Sequence, residues 1–451
     1  MKRRLIWVSS ALLLVLLLAG TAAYLLPVLS AYSAKILCSC VLVADREEAS
    51  VWAEELETYA SLVSAEVDRG EGLVTARALG LFPKRALYRE GLGCTLLAGM
   101  SPKALHAQIP INPREGLTAV RAIPDTMPWP VGVDSVALAA YLQSWVEEEN
   151  SAEPVRTRAL VVLYQGKRVG EAYGPGFGPD SRMAAWSMTK SVTQALIGLL
   201  VKQGKLDPEA PAPVPDWTGD ARAEITLDQL MRMSSGLAFN EFYFGHTDAT
   251  RMLFLRPDAG AYAQSLDLAH PPGTHWSYSS GTTNILSGII RRQFPTHEAY
   301  LRFPYDSLFA PLGMTSVLME PDAGGTYVGS SFMWATARDW ATFGQLYLQE
   351  GVWQGQQLLP EGWATYAGTR TPTAPEGNYG AQFWTRATDP ASTQYWPDVP
   401  EDAYMCLGFE GQQVVIIPSR QLVAVRLGQA LPESRWWSND FLKGLLALLP
   451  E

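Results

Sequence analysis

Near the middle of the chain, Ser187-Met188-Thr189-Lys190 places a hydroxyl and an amine three positions apart. In a helix, positions i and i+3 share a face, so the two side chains project together. A serine hydroxyl is a weak nucleophile until a base takes its proton, and an amine can do so only when uncharged. An ordinary lysine, with a pKa near ~10.4, is uncharged in fewer than ~0.1% of molecules at pH 7. Burial lowers that value by up to ~3–5 units. Val192, Leu196, Leu199 and Leu200 give the following helix an apolar side that belongs in a core. If the helix opens near Ser187, its unpaired amides and positive dipole end face any anion formed there. The chemistry would be acyl transfer through serine. The competing reading is a helix that starts with serine as a cap. Of the nine lysines, only Lys190 has a serine three residues before it.

Further segments bear on that choice. "LMRMSSGLAFNEFY" (230–243) follows the helix, and "PGTHWSYSS" (272–280) is a Pro/Gly loop leading into another helix. "LFAPLGMTS" (308–316) comes next, then "GFEGQQVVIIPSRQLVAV" (408–425), a glycine-containing turn feeding a strand hairpin. With "WSMTKS" at their head, these ordered segments resemble the serine β-lactamase and penicillin-binding-protein-like superfamily. They are most similar to class C β-lactamases, family VIII carboxylesterases and nylon-oligomer (6-aminohexanoate-dimer) hydrolases, over roughly residues 150–450.

The resemblance implies a serine hydrolase that cleaves carboxylic ester or amide bonds through an acyl-enzyme, and the N-terminal stretch described below would anchor it in a membrane. Ser187 matches the nucleophile, Lys190 its base, and Tyr278 the tyrosine that shares in proton transfer to the leaving group. Backbone amides of Ser187 and Gln412 would hold the oxyanion. Tyr243, Ser280, Glu410 and Gly411 fall at positions expected to bind substrate. Glu241 and Tyr243 resemble an acidic residue and a tyrosine of the nylon-oligomer hydrolases, whose tyrosine contacts the amide nitrogen. Two departures stand out. Tyr278-Ser279-Ser280 replaces Tyr-x-Asn, and Phe409-Glu410-Gly411 stands where Lys-Thr-Gly is expected. Loss of the lysine removes an anchor for a substrate carboxylate, and an acid there repels one. That lowers the first alternative, a β-lactamase or D-Ala-D-Ala carboxypeptidase of the same fold. The second alternative, a non-catalytic penicillin-binding-like receptor, is disfavoured by intact Ser187, Lys190 and Tyr278. The Gly-x-Ser-x-Gly elbow of α/β-hydrolases is absent from the sequence.

The elements that must position these residues read as α+β. Strand hairpins are expected at 157–164/167–173, joined by Gln165-Gly166, and at 412–418/421–427. Helices are expected near 136–148, 227–233, 284–292, 338–349 (with Thr336 and Asp339 as a capping box) and 438–449. Strands at both ends of this stretch suggest one antiparallel sheet flanked by helices, with a helical subdomain between. Trp276, Phe242 and Trp384 are read as packing residues.

Upstream, Lys2, Arg3 and Arg4 precede an uncharged stretch from Leu5 to Ala34. That length spans a bilayer, and the basic cluster orients it with the remainder outside. A cleaved signal peptide is the competing reading, because Ala19-Gly20-Thr21-Ala22-Ala23 offers small residues. Three regions are expected: 1–34 as cytoplasmic stub and transmembrane anchor, 35–130 as a membrane-proximal region, and 131–451 as the hydrolase domain. The Pro-rich loop 123–132 marks the second boundary. The membrane-proximal region should hold a strand at 41–44, a helix around 50–62 and a strand at 73–76. The catalytic domain would be periplasmic or extracellular, or secreted if the N-terminus is removed. In that compartment Cys38 or Cys40 could pair with Cys94, or the thiols could stay free.

A net charge of −10 argues against a nucleic-acid partner. The five histidines lack metal-site spacing and are read as structural, so no metal or organic cofactor is expected. The partner is a small-molecule ester or amide; the sequence does not give the natural substrate or the oligomeric state.

Overall fold

The computed structural model describes residues 2–108, 111–116, 123, 129–147, 155–430 and 438–450. Half of the expected 123–132 boundary loop and the last residue of the 136–148 helix lie outside them.

The chain opens with one helix, α1 (Lys2–Leu42). It passes straight through the expected 34/35 boundary: Pro27 is taken into the helix, and neither Pro nor Gly follows before Asp45, whose φ of 53 ends it. The strand expected at 41–44 is therefore the end of this helix. A short apolar run reads equally well as helix or strand, and here the preceding turns decide. From Val28 onward α1 is core rather than anchor: Ser30, Ala31, Ser33 and Ala34 are fully buried. Small side chains on that face let the helix approach a four-stranded antiparallel meander: β1 (Val63–Asp68), β2 (Leu73–Ala78), β3 (Leu81–Arg89) and β4 (Gly93–Leu96). The Ala78 amide donates to Ser30 Oγ at 2.9 Å, and Cys38 is disulfide-bonded to Cys94 on β4; Cys40 and Cys406 are free and buried. The helix expected around 50–62 is shorter, Glu48–Ala53, before a turn into β1.

Lys35, the first charge after the apolar stretch, lies inside the protein. Its amine donates to Glu320 Oε2 and to the Cys94 carbonyl, both at 2.5 Å. Glu320 also accepts from Ser39 Oγ, the Cys94 amide and the Trp334 indole. A buried ion is tolerated when its partner and remaining hydrogen-bonding positions are filled, as here. This network joins α1 and the meander to the rest of the molecule.

The main unit follows the α+β expectation. After α2 (Ser135–Ser144), capped by Asp134 accepting from two amides, come β5 (Thr157–Tyr164) and β6 (Lys167–Tyr173). Both residues of their turn have positive φ, Gln165 at 51 and Gly166 at 72, the geometry of a two-residue hairpin. Helices α3 (Thr189–Lys202), α4 (Leu227–Met231), α5 (Asp248–Leu255), α6 (Ser280–Arg292) and α7 (Ala337–Leu348) fill the middle. Thr336 caps α7, but Asp339 turns its carboxylate to Ser316 instead of closing a box. The chain then returns through β7 (Trp384–Thr385), β8 (Tyr404–Gly408), β9 (Gln412–Ile417) and β10 (Leu422–Gly428), and ends on α8 (Ser438–Ala447).

The six strands form one antiparallel sheet in the order β7-β8-β9-β10-β5-β6. β5 is buried at every position because both faces are covered. Ala159, Val161 and Leu163 join the core with α3 and α7, whereas Leu160, Val162 and Tyr164 pack with α2 and α8. That two-sided burial explains its unbroken apolar sequence. α3 is buried all round from Thr189 to Leu200, beyond the single apolar side expected.

Candidate active site

The nucleophile candidate sits on a tight turn, Trp186–Met188, that runs into α3. Trp186 holds φ at 47, a left-handed conformation costly for a residue with a side chain and typical of functional turns. Three contacts secure this turn. Thr189 Oγ1 donates to the Trp186 carbonyl at 2.7 Å, Ser191 Oγ to the Gln382 carbonyl at 2.7 Å, and the Ala185 amide to the Met333 carbonyl at 2.9 Å.

Lys190 lies in the first turn of α3 and is 2% exposed. Its amine has three oxygen neighbours, each at 3.0 Å: Ser187 Oγ, Ser280 Oγ and the Ser330 carbonyl. Burial lowers its pKa to about 8, and the Glu241 carboxylate partly opposes the fall. The geometry assigns the hydrogens of the neutral amine. The Ser330 carbonyl can only accept. Ser280 Oγ donates to Glu241 Oε1 at 2.6 Å and so has lone pairs to accept with. Two N–H groups are thereby engaged, and the amine lone pair is left for the Ser187 hydroxyl.

The α6 end brings the second half of the site. Ser279 caps α6 by accepting from the Thr282 amide, so Ser280 is its first residue and Tyr278 lies just outside. The Tyr278 ring centre is 4.8 Å from the Lys190 amine. The ring packs against Tyr379 and Trp384 at 5.9 and 5.2 Å, and Trp276 joins the same wall. From the 240s loop, Glu241 accepts from both the amide and the hydroxyl of Ser280. The Tyr243 hydroxyl lies 2.7 Å from Glu241 Oε1 and 2.9 Å from Ser280 Oγ. Burial of that hydroxyl raises the Tyr243 pKa well above its ordinary value, so it is a donor at neutral pH, although half of the residue's surface is open. Ser187, Lys190, Tyr278, Ser280 and Tyr243 thus form one continuous cluster.

Three expected residues are not in it. Between β8 and β9 the chain curls through Phe409–Gly411, with Glu410 and Gly411 both left-handed at φ 67 and 76. The buried Arg426 guanidinium donates to both their carbonyls, at 2.7 and 3.0 Å, and draws this curl inward. Glu410 is therefore 4% exposed and lines an internal cavity with Arg158, Glu55 and Cys40. It accepts from the Trp186 indole at 3.1 Å, and burial pushes its pKa up to about 7 against the pull of Arg158. It underpins the turn that carries Ser187 and faces this cavity, away from the cluster around Lys190. Gly411 is packed on Arg426 for the same reason. Gln412 belongs to β9, an inner strand, and its side chain is bound to Gly428. The backbone pressed on the nucleophile's turn comes earlier: a Cβ at Gly408 would stand 2.3 Å from the Ala185 carbonyl. Phe409 follows at the rim, its ring 5.6 Å from that of Trp186. Sequence reasoning missed the Ser330 carbonyl and the close approach of Gly408; their signal was backbone position, which side-chain types do not announce. No cluster able to hold a metal exists among the described residues.

Comparison with known proteins agrees with this geometry. The sequence model of the Beta-lactamase family matches residues 142–442. A 6-aminohexanoate-dimer hydrolase of Paenarthrobacter ureafaciens is 26% identical over 315 residues, covering 64% of this chain and 77% of its own. Among solved structures, a penicillin-binding protein homolog from Caulobacter crescentus aligns with a TM-score of 0.53 at 17% identity, over 73% of this chain and 99% of that one. A family VIII carboxylesterase aligns with a TM-score of 0.51 at 12% identity, over 65% and 92%. At such identities these two show the fold alone. The family match, spanning most of the main unit and all of the cluster around Ser187, establishes that the chain belongs to the beta-lactamase family of serine hydrolases.

Proposed function

We propose that the protein hydrolyses a carboxylic ester or amide through an acyl-enzyme on Ser187. The observation that carries this is the buried Lys190 amine, 3.0 Å from Ser187 Oγ with its hydrogens engaged elsewhere. With a pKa of about 8, roughly a tenth of molecules hold the free base at pH 7. Lys190 takes the Ser187 proton as Oγ attacks the carbonyl carbon. Tyr278, beside the amine, relays that proton to the leaving oxygen or nitrogen as the C–O or C–N bond breaks. Water then attacks the ester on Ser187, the same groups accept its proton, and the acid is released. Charge developing on the carbonyl oxygen is met by the Ser187 amide and, in place of the Gln412 amide, by the backbone at Phe409. One such donor typically contributes ~3–4 kcal/mol to lowering the barrier. The Tyr243 hydroxyl donates its one hydrogen to Glu241, which leaves its oxygen placed to accept from the N–H of an amide substrate. Likeness to a 6-aminohexanoate-dimer hydrolase supports including amides among the substrates.

The same reading assigns residues 131–451 to the hydrolase and α1 to a dual role. By length and composition Gly20–Leu42 could cross a membrane, but 67% of that apolar window is buried in the protein. The membrane segment is accordingly proposed for the uncharged residues from Leu5 to Tyr24, ahead of the buried part. Purified full-length protein should turn over short p-nitrophenyl esters, and Ser187→Ala should abolish this while leaving the circular dichroism spectrum intact. Undiminished turnover in a folded Ser187→Ala protein would exclude the mechanism.

A further inference from the structure

The 240s loop shows two faces. Inward, Glu241 and the Tyr243 hydroxyl reach Ser280 beside Lys190. Outward, it presents three consecutive aromatic residues: Phe242 is 64% exposed, Tyr243 52% and Phe244 77%. The sequence reading of Phe242 as a packing residue is thus corrected. A contiguous exposed aromatic patch is uncommon on a monomeric surface and marks an interaction site. The loop is braced: the Phe242 amide donates to Asn240 Oδ1, the Asn240 amide to Asp248 Oδ2, and Thr250 Oγ1 to the Gly245 carbonyl. The loop's own framework therefore holds the Phe242 and Phe244 rings outward while the Tyr243 hydroxyl turns in.

What lies against that patch is indicated by α1. The Tyr24 ring is 4.3 Å from that of His246, its hydroxyl donates to the His246 carbonyl at 3.1 Å, and Leu25 packs beside Gly245. Tyr24 is itself 53% exposed. From this junction α1 continues outward to Lys2. At ~1.5 Å per residue the helix from Leu5 to Tyr24 is ~30 Å long, the thickness of a bilayer's hydrocarbon core. No charge interrupts it, and basic residues stand only at its far end. If that segment crosses the membrane, the bilayer surface falls at Tyr24, where aromatic rings are favoured. The 242–244 tip, fixed to α1 at that level, meets the same surface.

We infer that the 242–244 tip seats in the surface of the bilayer that α1 enters, so that the site takes amphiphilic esters or amides whose apolar part stays in the membrane. This rests on the hydrolase and anchor readings above and deepens them by naming a substrate class. The loop that touches lipid on one face and Ser280 on the other would bring a membrane-resident acyl group to Ser187 without full transfer into water.

The test uses the full-length protein in phosphatidylcholine vesicles. Phe244→Cys can be labelled selectively with an environment-sensitive nitrobenzoxadiazole dye, because Cys40 and Cys406 are buried. Seating predicts quenching by lipids doxyl-labelled near the headgroup and protection from aqueous cobalt. Quenching by cobalt with no effect of the doxyl lipids would overturn it. In parallel, the Phe242→Ser/Phe244→Ser protein should hydrolyse a water-soluble short ester within about twofold of the parent rate, yet lose about tenfold or more on a long-chain ester embedded in the vesicles. Equal effects on both substrates would overturn the inference. Were the parent protein to hydrolyse neither ester, the hydrolase reading and the substrate class would fall together. The dye result would still decide, separately, whether the tip meets the bilayer.

Discussion

Replacing Glu241 by Gln should move the pH profile in a calculable direction. The Lys190 amine and the nearer Glu241 oxygen are linked through Ser280 Oγ by contacts of 3.0 and 2.6 Å, which sets their separation at no more than about 5.6 Å. A unit charge pair at that distance is worth ~3 kcal/mol at an effective dielectric of ~20, and ~0.7 kcal/mol in water. Those limits correspond to ~2 and ~0.5 pKa units. The carboxylate favours the protonated amine, so it raises the Lys190 pKa against the larger lowering by burial. The free base is the active form. For the parent enzyme, kcat/KM should therefore rise with pH through about 8 and level off above it. Glu241→Gln keeps an acceptor and a donor for Ser280 but removes the charge, and should shift the rising limb down by ~0.5–2 units. The assay is kcat/KM for a neutral p-nitrophenyl ester from pH 5.5 to 9.5, with circular dichroism confirming the fold. A limb that stays in place, or moves upward, would refute the electrostatic reasoning even if activity fell.

Other consequences concern different parts of the structure. Gly408→Ala places a methyl 2.3 Å from the Ala185 carbonyl, so the nucleophile's turn must shift; steady-state kinetics should show kcat/KM down ~100-fold with little change in melting temperature. Glu320→Gln strips the buried Lys35 of its counter-ion and should cost ~3–5 kcal/mol in urea unfolding. Cys38→Ser opens the disulfide to Cys94, 56 residues away, with an expected loss of ~2–4 kcal/mol measured the same way.

The proximity of the candidate residues was largely legible because each pair is fixed by local spacing. Ser187 and Lys190 share a helix turn, and Tyr278 and Ser280 bracket the cap of another helix. What could not be read was where a strand stops and which way a turn curls. The left-handed pair Glu410-Gly411 carries both residues inward on Arg426, so the backbone packed on the turn of Ser187 is that of Gly408, ahead of Gln412. Arg426 lies 16 residues away in sequence, and nothing in the local pattern announces it. The inner end of the N-terminal helix, where Ser30, Ala31, Ser33 and Ala34 are buried in the protein, was misread for a related reason. Hydropathy cannot distinguish lipid from protein interior, and the burial of Val28–Leu42 depends on the meander folded around it. Phe242 failed in the opposite sense, since an aromatic residue predicts packing without saying against what.

The central claim is that burial lowers the Lys190 pKa enough to make its free base available to Ser187, and a direct titration of its amine tests this. Protein labelled with 15N-lysine, assigned by comparison with Lys190→Arg, should show one Nζ resonance titrating near about 8. An inflection above ~10, like that of a solvated lysine, would contradict the account.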